Sequence, residues 1–313
     1  MLGLSRTALD RMSVRALVCP EMSAIEQEVA SQPACWRRAV ELAAAIGGDE
    51  LAAPGERVAV VGCGTSFHIA TAFAALREGA GGGETDAFPA SEFPGTRRYD
   101  RVVALSRSGT TTEVNQLLAA VGGIPRTVIT ADGSSPVVSL ADDAIVLDFA
   151  EEASVVQTRF ATSALAVLRA HLGEDLDHAI ADGDRAVVEP LDVAVPDLDH
   201  AVFLGHGWTV GIAREAALKL GEASGTYSEA YPAMEFRHGP ISLAGERSLV
   251  WILGSRDPGV ADDARATGAT VREASLDPLA ELVLVHRLAI LLAERKGLDP
   301  DRPAHLTRSV VLP

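Results

Sequence analysis

The stretch LSRSGTTTE, residues 105–113, is the most informative segment of this sequence for predicting its fold. It follows an apolar run and opens a segment with helical periodicity, so it predicts the point where a buried strand leads into a helix. Hydroxyl side chains, an arginine and a glycine meet there. Unpaired N–H groups in the first turn of a helix, together with the helix dipole, favour a bound anion. The stretch therefore indicates a phosphate cradle, and the alternative is an ordinary N-cap with a polar turn.

Strands and helices alternate on both sides of this stretch. Residues 58–66, VAVVGCGTS, predict a buried strand and a glycine turn before an alanine-rich helix at 67–77. The other predicted segments of this half are strands at 101–105, 127–130 and 144–147, an edge segment at 86–93 and a helix at 114–121. Alternation of this kind predicts a doubly wound parallel sheet that binds ligands at the carboxyl ends of its strands.

A second half repeats the plan. Residues 201–209, AVFLGHGWT, give an apolar strand, a G-x-G turn and the start of a helix, and a strand at 248–253 and a helix at 278–295 follow. The predicted fold class is therefore α/β, with two tandem flavodoxin-like sandwiches, each a doubly wound, mainly parallel sheet flanked by helices. Phe67 and Val210 occupy the third glycine position of G-x-G-x-x-G, which argues against a dinucleotide site.

The expected domains follow from this repeat. They are a helical arm at 1–45, a first subdomain at 46–172 and a second subdomain at 173–313. Within them we expect two short helices around Pro33, a connecting helix at 154–172 and an acid-rich solvated linker at 175–199.

Composition excludes several classes of partner. Among the 313 residues, 4% are aromatic and the formal net charge is −16, which disfavours nucleic acid. The sequence has only three cysteines, Cys19, Cys35 and Cys63, without metal-binding spacing, as expected in a reducing cytoplasm. It shows neither a signal-peptide pattern nor an uncharged apolar run of membrane-spanning length. We therefore expect a cytoplasmic protein that does not bind membranes.

Three charged residues share one face of the helix predicted at 208–223. Glu215, Lys219 and Glu222 follow an i, i+4, i+7 spacing among otherwise apolar residues. The pattern fits either an exposed charged stripe or a buried carboxylate whose raised pKa suits proton transfer. The polar stretch 227–240 that follows predicts a functional loop, and its His238 is either an acid/base group or a turn cap.

Several motifs occur in a fixed order from about residue 22 to the C-terminus. They are E-x5-QP at 26–33, GCGTS at 62–66, ASEF at 90–93, SRSG at 106–109, E-x2-V-x2-T at 152–158, E-x3-K-x2-E at 215–222, EAY at 229–231 and E-x2-HGP at 235–240. In this order the chain resembles the sugar isomerase (SIS) domain proteins. It is most similar to the isomerase part of glucosamine-6-phosphate synthase and to stand-alone amino-sugar-phosphate deaminases and isomerases.

The resemblance implies a role for each matching residue. The implied phosphate ligands are Ser106, Arg107, Ser108 and Thr111, and the implied sugar contacts are Thr65, Ser66 and Val155. Glu222 matches the carboxylate that moves a proton between C1 and C2 of the sugar. His238 matches a histidine that assists ring opening from the neighbouring subunit, so the resemblance implies a homodimer.

Three features of the chain differ from the synthase. The synthase has glutamine at the position of Arg107, so the resemblance leaves two roles open for this residue: a charge-assisted contact with the phosphate, or a salt bridge away from it. We also expect no glutamine-hydrolysing domain here. The tail at 303–310 resembles the family's substrate-covering tail and adds Thr307 and Arg308 as candidate sugar contacts, but Arg308 stands near the place of the expected lysine. A guanidinium stays protonated, so this residue is unsuited to a covalent imine and suited to contacts with substrate oxygens.

Two functions remain open from the sequence. The first is an isomerase or deaminase of a phosphorylated hexose or hexosamine, similar to glucosamine 6-phosphate, that uses no metal and no nucleotide cofactor. The second is a regulatory protein that senses a sugar phosphate without turning it over. Regulators of that kind carry a helix-turn-helix before the SIS domain, and we expect the roughly 20 residues that precede it here to be too few for one. The retained Glu222 and His238 also favour catalysis.

Overall fold

The computed structural model describes residues 22–191, 193 and 198–312. Helices α1 (Ala24–Ala30) and α2 (Gln32–Ala45) lie at its start, followed by the short α3 (Gly48–Leu51). Ser23 caps α1 through a reciprocal bond with Glu26, and Pro33 lies in the first turn of α2, where its missing N–H costs nothing. The two predicted helices are confirmed, while residues 1–21 of the predicted arm lie outside the described residues.

The first half is a five-stranded parallel sheet in the order β2-β1-β3-β4-β5. Its strands are β1 (Val58–Gly62), β2 (Thr85–Pro89), β3 (Arg101–Leu105), β4 (Arg126–Thr130) and β5 (Asp143–Val146). Its helices are α4 (Thr65–Gly79), α5 (Thr112–Ala120) and α6 (Arg159–His171). This strand order is that of flavodoxin-like sheets, which bind ligands where the order reverses, beside β1 and β3.

The second half repeats the order with one strand fewer, as β7-β6-β8-β9, again all parallel. Its strands are β6 (His200–Gly205), β7 (Tyr227–Pro232), β8 (Ser248–Ile252) and β9 (Thr270–Glu273). Its helices are α7 (Asp177–Val188), α8 (Thr209–Ser224), α9 (Gly259–Ala266) and α10 (Pro278–Arg295). The predicted fold class, two α/β sandwiches in tandem, is confirmed.

One continuous apolar core joins the two halves. It includes Val60 from the first sheet, Phe203 from the second, and Leu165 and Val285 from the helices between them. The packing of α8 against α4 is close, because a Cβ on Gly211 would lie 2.6 Å from the backbone N of Ala72. Within the described ranges no helix is both long and apolar enough to cross a membrane.

The contacts of α8 with α4 fix its direction. Gly211, near the start of α8, lies against the backbone of His68 and Ala72 in the middle of α4. Glu215, one turn later, lies beside Thr65 at the start of α4. Helix α8 therefore runs antiparallel to α4, and its C-terminal half points to the carboxyl edge of the first sheet.

Three expectations about local structure were wrong. The helix predicted at 154–172 begins only at Arg159, and an irregular loop precedes it. The linker predicted at 175–199 contains α7, whose Gly183 packs against Trp36. The stretch 227–240, predicted as a loop, begins with the edge strand β7 and continues into 3-10 turns at Glu235–His238 and Pro240–Leu243.

Candidate active site

The predicted cradle is the loop 106–111, which joins β3 to the N-terminus of α5 at the carboxyl edge of the first sheet. Gly109 has a φ of +63°, and a Cβ there would lie 1.9 Å from Ser135 Oγ. Its carbonyl accepts a hydrogen bond from Val137 N at 3.2 Å. Only glycine fits this position, and the tight turn directs the loop into the helix.

Hydroxyl groups of this loop are available to a ligand. Ser106 is 3% exposed, and its Oγ has no hydrogen-bond partner among the described residues. Ser108 Oγ accepts from Thr110 N at 3.2 Å, and Thr111 is the N-cap of α5 without a side-chain cap bond. A buried hydroxyl without a partner is costly unless a ligand or water satisfies it, which fits an anion site.

The C-terminal tail, residues 299–312, lies directly on this loop. Thr112 N donates to Val310 O at 3.1 Å, and Leu312 N donates to Thr112 Oγ1 at 2.8 Å. The hydroxyls of Thr110 and Ser309 are 2.8 Å apart. The tail thus covers the cradle and occupies one of the N–H groups that would face an anion.

Arg107 points away from the cradle into the protein. The residue is 2% exposed, and its Nη atoms donate to Ser154 O at 3.1 Å, Val155 O at 3.2 Å and Arg308 O at 3.0 Å. Nη1 also lies 3.5 Å from Glu152 Oε2, while Nε has no partner among the described residues. The predicted phosphate ligand is therefore engaged in a buried ion pair.

Two buried carboxylates hold the loop 151–158, which carries Val155. Glu152 accepts from Thr158 N at 2.5 Å and from Arg159 N at 2.8 Å, and so caps α6. Burial raises the pKa of Glu152, and Arg107 opposes that rise. Glu28 accepts from Ala153 N at 2.5 Å. Sequence reasoning missed Glu28, although its place on the apolar face of α1, beside Val29, signals a buried role.

The charged face of α8 is buried, so the exposed-stripe interpretation is wrong. Glu215 is 0% exposed and Lys219 is 1% exposed, with 3.7 Å between Nζ and Glu215 Oε1. Lys219 also donates to Glu222, whose side chain is 22% exposed. Burial raises the pKa of Glu215 to about 8, while Lys219 opposes the rise. Burial opposes protonation of Lys219, but Glu215 and Glu222 prevail and raise its pKa.

Two histidines that the sequence analysis did not select, the partly buried His68 and the buried His286, lie near this lysine. Burial, and then the charge of Lys219, lower the pKa of His68 to about 4 and that of His286 to about 3. His286 Nδ1 lies 3.0 Å from Gln32 Nε2. Both rings are neutral near pH 7, so Lys219 keeps its charge between carboxylates and neutral neighbours.

The structure does not bring Glu222 and His238 together within one chain. Glu222 is the third residue from the C-terminal end of α8, which points to the carboxyl edge of the first sheet. His238 is exposed and ends the 3-10 turn that follows the carboxyl end of β7 in the second sheet. Helix α8, with 16 residues, spans about 24 Å between these two edges.

The candidate sugar contacts surround the carboxyl edge of the first sheet. Thr65 and Ser66 are each 4% exposed in the first turn of α4, and Val155 N donates to Asp301 O at 2.9 Å. Thr307 is exposed and donates to Ser309 O at 2.9 Å. Arg308 donates to Glu152 O and to the Glu151 carboxylate, so its guanidinium is held on the loop 151–158.

The part of the chain that the structure describes contains no set of side chains arranged to bind a metal ion. No group of three or more histidine, cysteine, aspartate or glutamate side chains there is arranged to hold an ion. The arrangement instead offers a hydroxyl-lined helix N-terminus, a carboxylate paired with a buried lysine, and a covering tail. These groups can bind an anion and move a proton beside it.

Known proteins are similar to this chain in sequence. Glutamine–fructose-6-phosphate aminotransferase [isomerizing] from Pectobacterium atrosepticum is 27% identical, over 84% of this chain and 53% of that protein. The same enzyme from Gloeobacter violaceus is 29% identical, over 82% and 52%. The chain thus spans about half the length of these two relatives.

Solved structures agree with the fold. Glucosamine-6-phosphate deaminase from Thermotoga maritima superposes with a TM-score of 0.79 and 25% identity, covering 93% of this chain and 100% of that one. Tagatose-6-phosphate ketose/aldose isomerase from Escherichia coli gives 0.73 and 19%, covering 93% and 96%. The profile of the family described as "SIS domain" matches residues 51–172. This segment contains the whole first sheet with α4 to α6.

Proposed function

We propose that this protein catalyses an aldose–ketose isomerisation of a phosphorylated hexose or hexosamine, with release of ammonia where the substrate carries a 2-amino group. The loop 106–111 would bind the phosphate through Ser106, Ser108, Thr111 and the N-terminus of α5. Thr65, Ser66 and the loop around Val155 would contact the sugar.

One observation carries the proposal, namely the buried Lys219 between Glu215 and Glu222. Lys219 holds the Glu222 carboxylate in place by a hydrogen bond, and Glu222 is partly exposed, so it can reach a proton on a bound substrate. The start of α4 near Glu215 lies at the same sheet edge as the cradle, so an anchored substrate would extend toward this cluster. The T. maritima neighbour is named as a deaminase and the E. coli neighbour as a ketose/aldose isomerase, which supports the reaction class.

The chemistry needs three groups. An acid/base group opens the sugar ring by moving a proton between O1 and O5, and we assign this role to His238. Glu222 then takes the proton from one of the two carbons, C1 or C2, and returns it to the other, so the carbonyl changes place without an external oxidant. For a 2-amino sugar the same shift produces an imine at C2, and water hydrolyses it to the ketose and ammonia.

The separation of Glu222 and His238 within one chain requires a second copy for this mechanism. We propose a homodimer in which the partner contributes its His238 to the site that contains Glu222. Cys35 and Cys63 are free thiols, which supports the proposed cytoplasmic location.

A substrate panel tests the proposal. Glucosamine 6-phosphate, fructose 6-phosphate and related hexose phosphates are incubated with the protein in deuterated water. Ammonia, product sugar and exchange of the proton at C2 of an aldose or at C1 of a ketose are measured. Such exchange together with formation of the isomer or of ammonia is expected for at least one substrate. Tight binding without exchange on any substrate would refute catalysis and favour a regulatory sensor of sugar phosphates.

A further inference from the structure

Arg107 connects three separate parts of the chain. It lies in the cradle loop, donates to two carbonyls of the loop 151–158, and donates to the carbonyl of Arg308 in the tail. The residues that carry these three carbonyls lie 47, 48 and 201 positions from Arg107 in the sequence. The planar guanidinium presents several donors in a fixed fork, so it can hold three carbonyls at once.

The guanidinium is also fixed in its own place. Glu152 lies 3.5 Å from Nη1, and the same carboxylate caps α6 through Thr158 and Arg159. Both side chains are almost fully buried, at 1% exposed for Arg107 and 0% for Glu152. A buried charge pair of this kind has little freedom, because removing one partner leaves the other unpaired.

We propose that Arg107 is a positioning residue that closes the tail over the site and aligns it with the sugar-contacting loop, rather than a ligand of the phosphate. The assignment of this site to a sugar phosphate rests on the proposed function. The contacts by which Arg107 holds the tail on the loop 151–158, which we call the clamp, are a property of the fold. Its chemical consequence is that Arg107 acts on the sugar end of a substrate through Val155 and the tail, while the phosphate end depends on the hydroxyls and N–H groups of the loop 106–111.

Trypsin cleavage after Arg308 tests the clamp directly. The protease attacks the Arg308 carbonyl, and this carbonyl accepts a hydrogen bond from Arg107. Pro303 blocks cleavage after Arg302, so removal of residues 309–313 is a distinct product in a mass spectrum. In Arg107→Gln we expect this cleavage to be about 10-fold faster than in the native chain, since hydrogen bonds from a charged donor are lost. Cleavage after the exposed Arg256 gives an internal reference.

The matched control is Arg169→Gln. Arg169 is another buried arginine, paired with Glu174 and Asp277 at the far end of α6 from the loop 151–158. Its loss should lower the global stability without opening the tail. Arg107→Lys is a second variant: it keeps the charge beside Glu152 but cannot bond three carbonyls in a planar fork, so we expect the tail to be released in it as well.

Each result decides the proposal. Equal cleavage after Arg308 in the native chain and both Arg107 variants, or the same increase in Arg169→Gln, would overturn the clamp. Calorimetry with inorganic phosphate then separates the two roles: we expect a Kd within twofold of native in Arg107→Gln, and a Kd more than 10-fold weaker would make Arg107 a phosphate ligand. These readouts need no turnover, so an inactive substrate panel would refute the proposed function and leave the clamp standing.

Discussion

Lys219 sets the charge balance of the candidate site. It is almost fully buried and lies against two carboxylates, Glu215 and Glu222, which differ in exposure. Glu215 has a pKa of about 8 because burial disfavours its charge, so it is largely protonated at pH 7. Glu222 accepts a hydrogen bond from the lysine at the open side of the cluster. The two carboxylates on this helix face therefore differ in their access to a substrate.

The first prediction concerns Glu222→Gln. The amide keeps the size of the side chain but cannot accept the substrate proton, so we expect turnover to fall by about 10² or more while substrate binding survives. Exchange of the C2 proton measures the first quantity and calorimetry the second. Glu189→Gln, at an exposed carboxylate after α7, serves as the control and should keep native turnover. Unchanged turnover in Glu222→Gln would remove this residue from the mechanism.

The second prediction concerns the pH dependence of stability. The folded pKa of Glu215 is raised above its unfolded value, so its contribution is complete below about pH 4.5 and is lost as the pH rises through about 8. His68 and His286 have lowered folded pKa values and act in the opposite sense, but only below about pH 6.5. Between pH 6.5 and 8, Glu215 is the one of these three groups whose titration changes the free energy of unfolding.

Urea unfolding at several values of pH in this window measures the effect. We expect the free energy of unfolding to decrease with rising pH by up to about 1.4 kcal/mol per pH unit, and Glu215→Gln to flatten that slope. The variant is compared with the native chain at each pH, so other titrating groups cancel. If the slope is the same in both proteins, Glu215 is already ionised in the folded state.

At the scale of elements, the sequence predicted the strands and helices that depend on short-range patterns. Buried runs such as VAVVG gave the strands, and the glycine turns after β1 and β6 gave the starts of α4 and α8. The loop 151–158 was missed because its shape depends on Glu28, which is 125 positions away from Ala153. The orientation of Arg107 was left open for the same reason, since its partner Glu152 lies on another loop.

Helix α7 and strand β7 were predicted as a linker and a loop because their sequences are polar. In α7 the buried Ala179, Gly183 and Ala186 repeat at helical spacing within an acid-rich segment. In β7 nearly every residue is partly exposed because the strand lies at a sheet edge, so its sequence is polar and predicts a loop. The pairing of β7 with β6, a tertiary contact, makes it a strand.

The third prediction tests the cradle as an element. Gly109→Ala places a Cβ 1.9 Å from Ser135 Oγ at a φ of +63°, so the loop must move. Gly81→Ala is the matched control, because Gly81 has a φ of +74° and no atom within 4 Å of the added Cβ. We expect the control to lose about 1 kcal/mol of unfolding free energy from the backbone alone, and Gly109→Ala to lose clearly more.

Binding of inorganic phosphate completes this test. The loop that Gly109 shapes presents the hydroxyls and the α5 N-terminus, so Gly109→Ala should weaken phosphate binding by about 10-fold or more while Gly81→Ala retains it. Native phosphate affinity in folded Gly109→Ala would place the anion site elsewhere.

At the scale of the whole molecule, the two halves direct their functional groups to opposite ends. The cradle, Lys219 and Glu222 belong to the carboxyl edge of the first sheet, whereas His238 follows the carboxyl end of β7 in the second sheet. A single chain therefore holds the proposed proton carrier at one end and the proposed ring-opening group at the other. Two copies related by a twofold axis can place each His238 beside the other copy's Glu222.

Mixing two inactive variants tests this arrangement. In a heterodimer of Glu222→Gln with His238→Asn, one shared site carries both substitutions and the other carries neither. Half of the dimers in a random equimolar mixture are heterodimers, so we expect roughly one quarter of native activity from two proteins that are each inactive alone. Heterodimers isolated with two different affinity tags should reach about half. If each site lies within one chain, every site in the heterodimer contains one substitution, and the isolated heterodimer stays inactive.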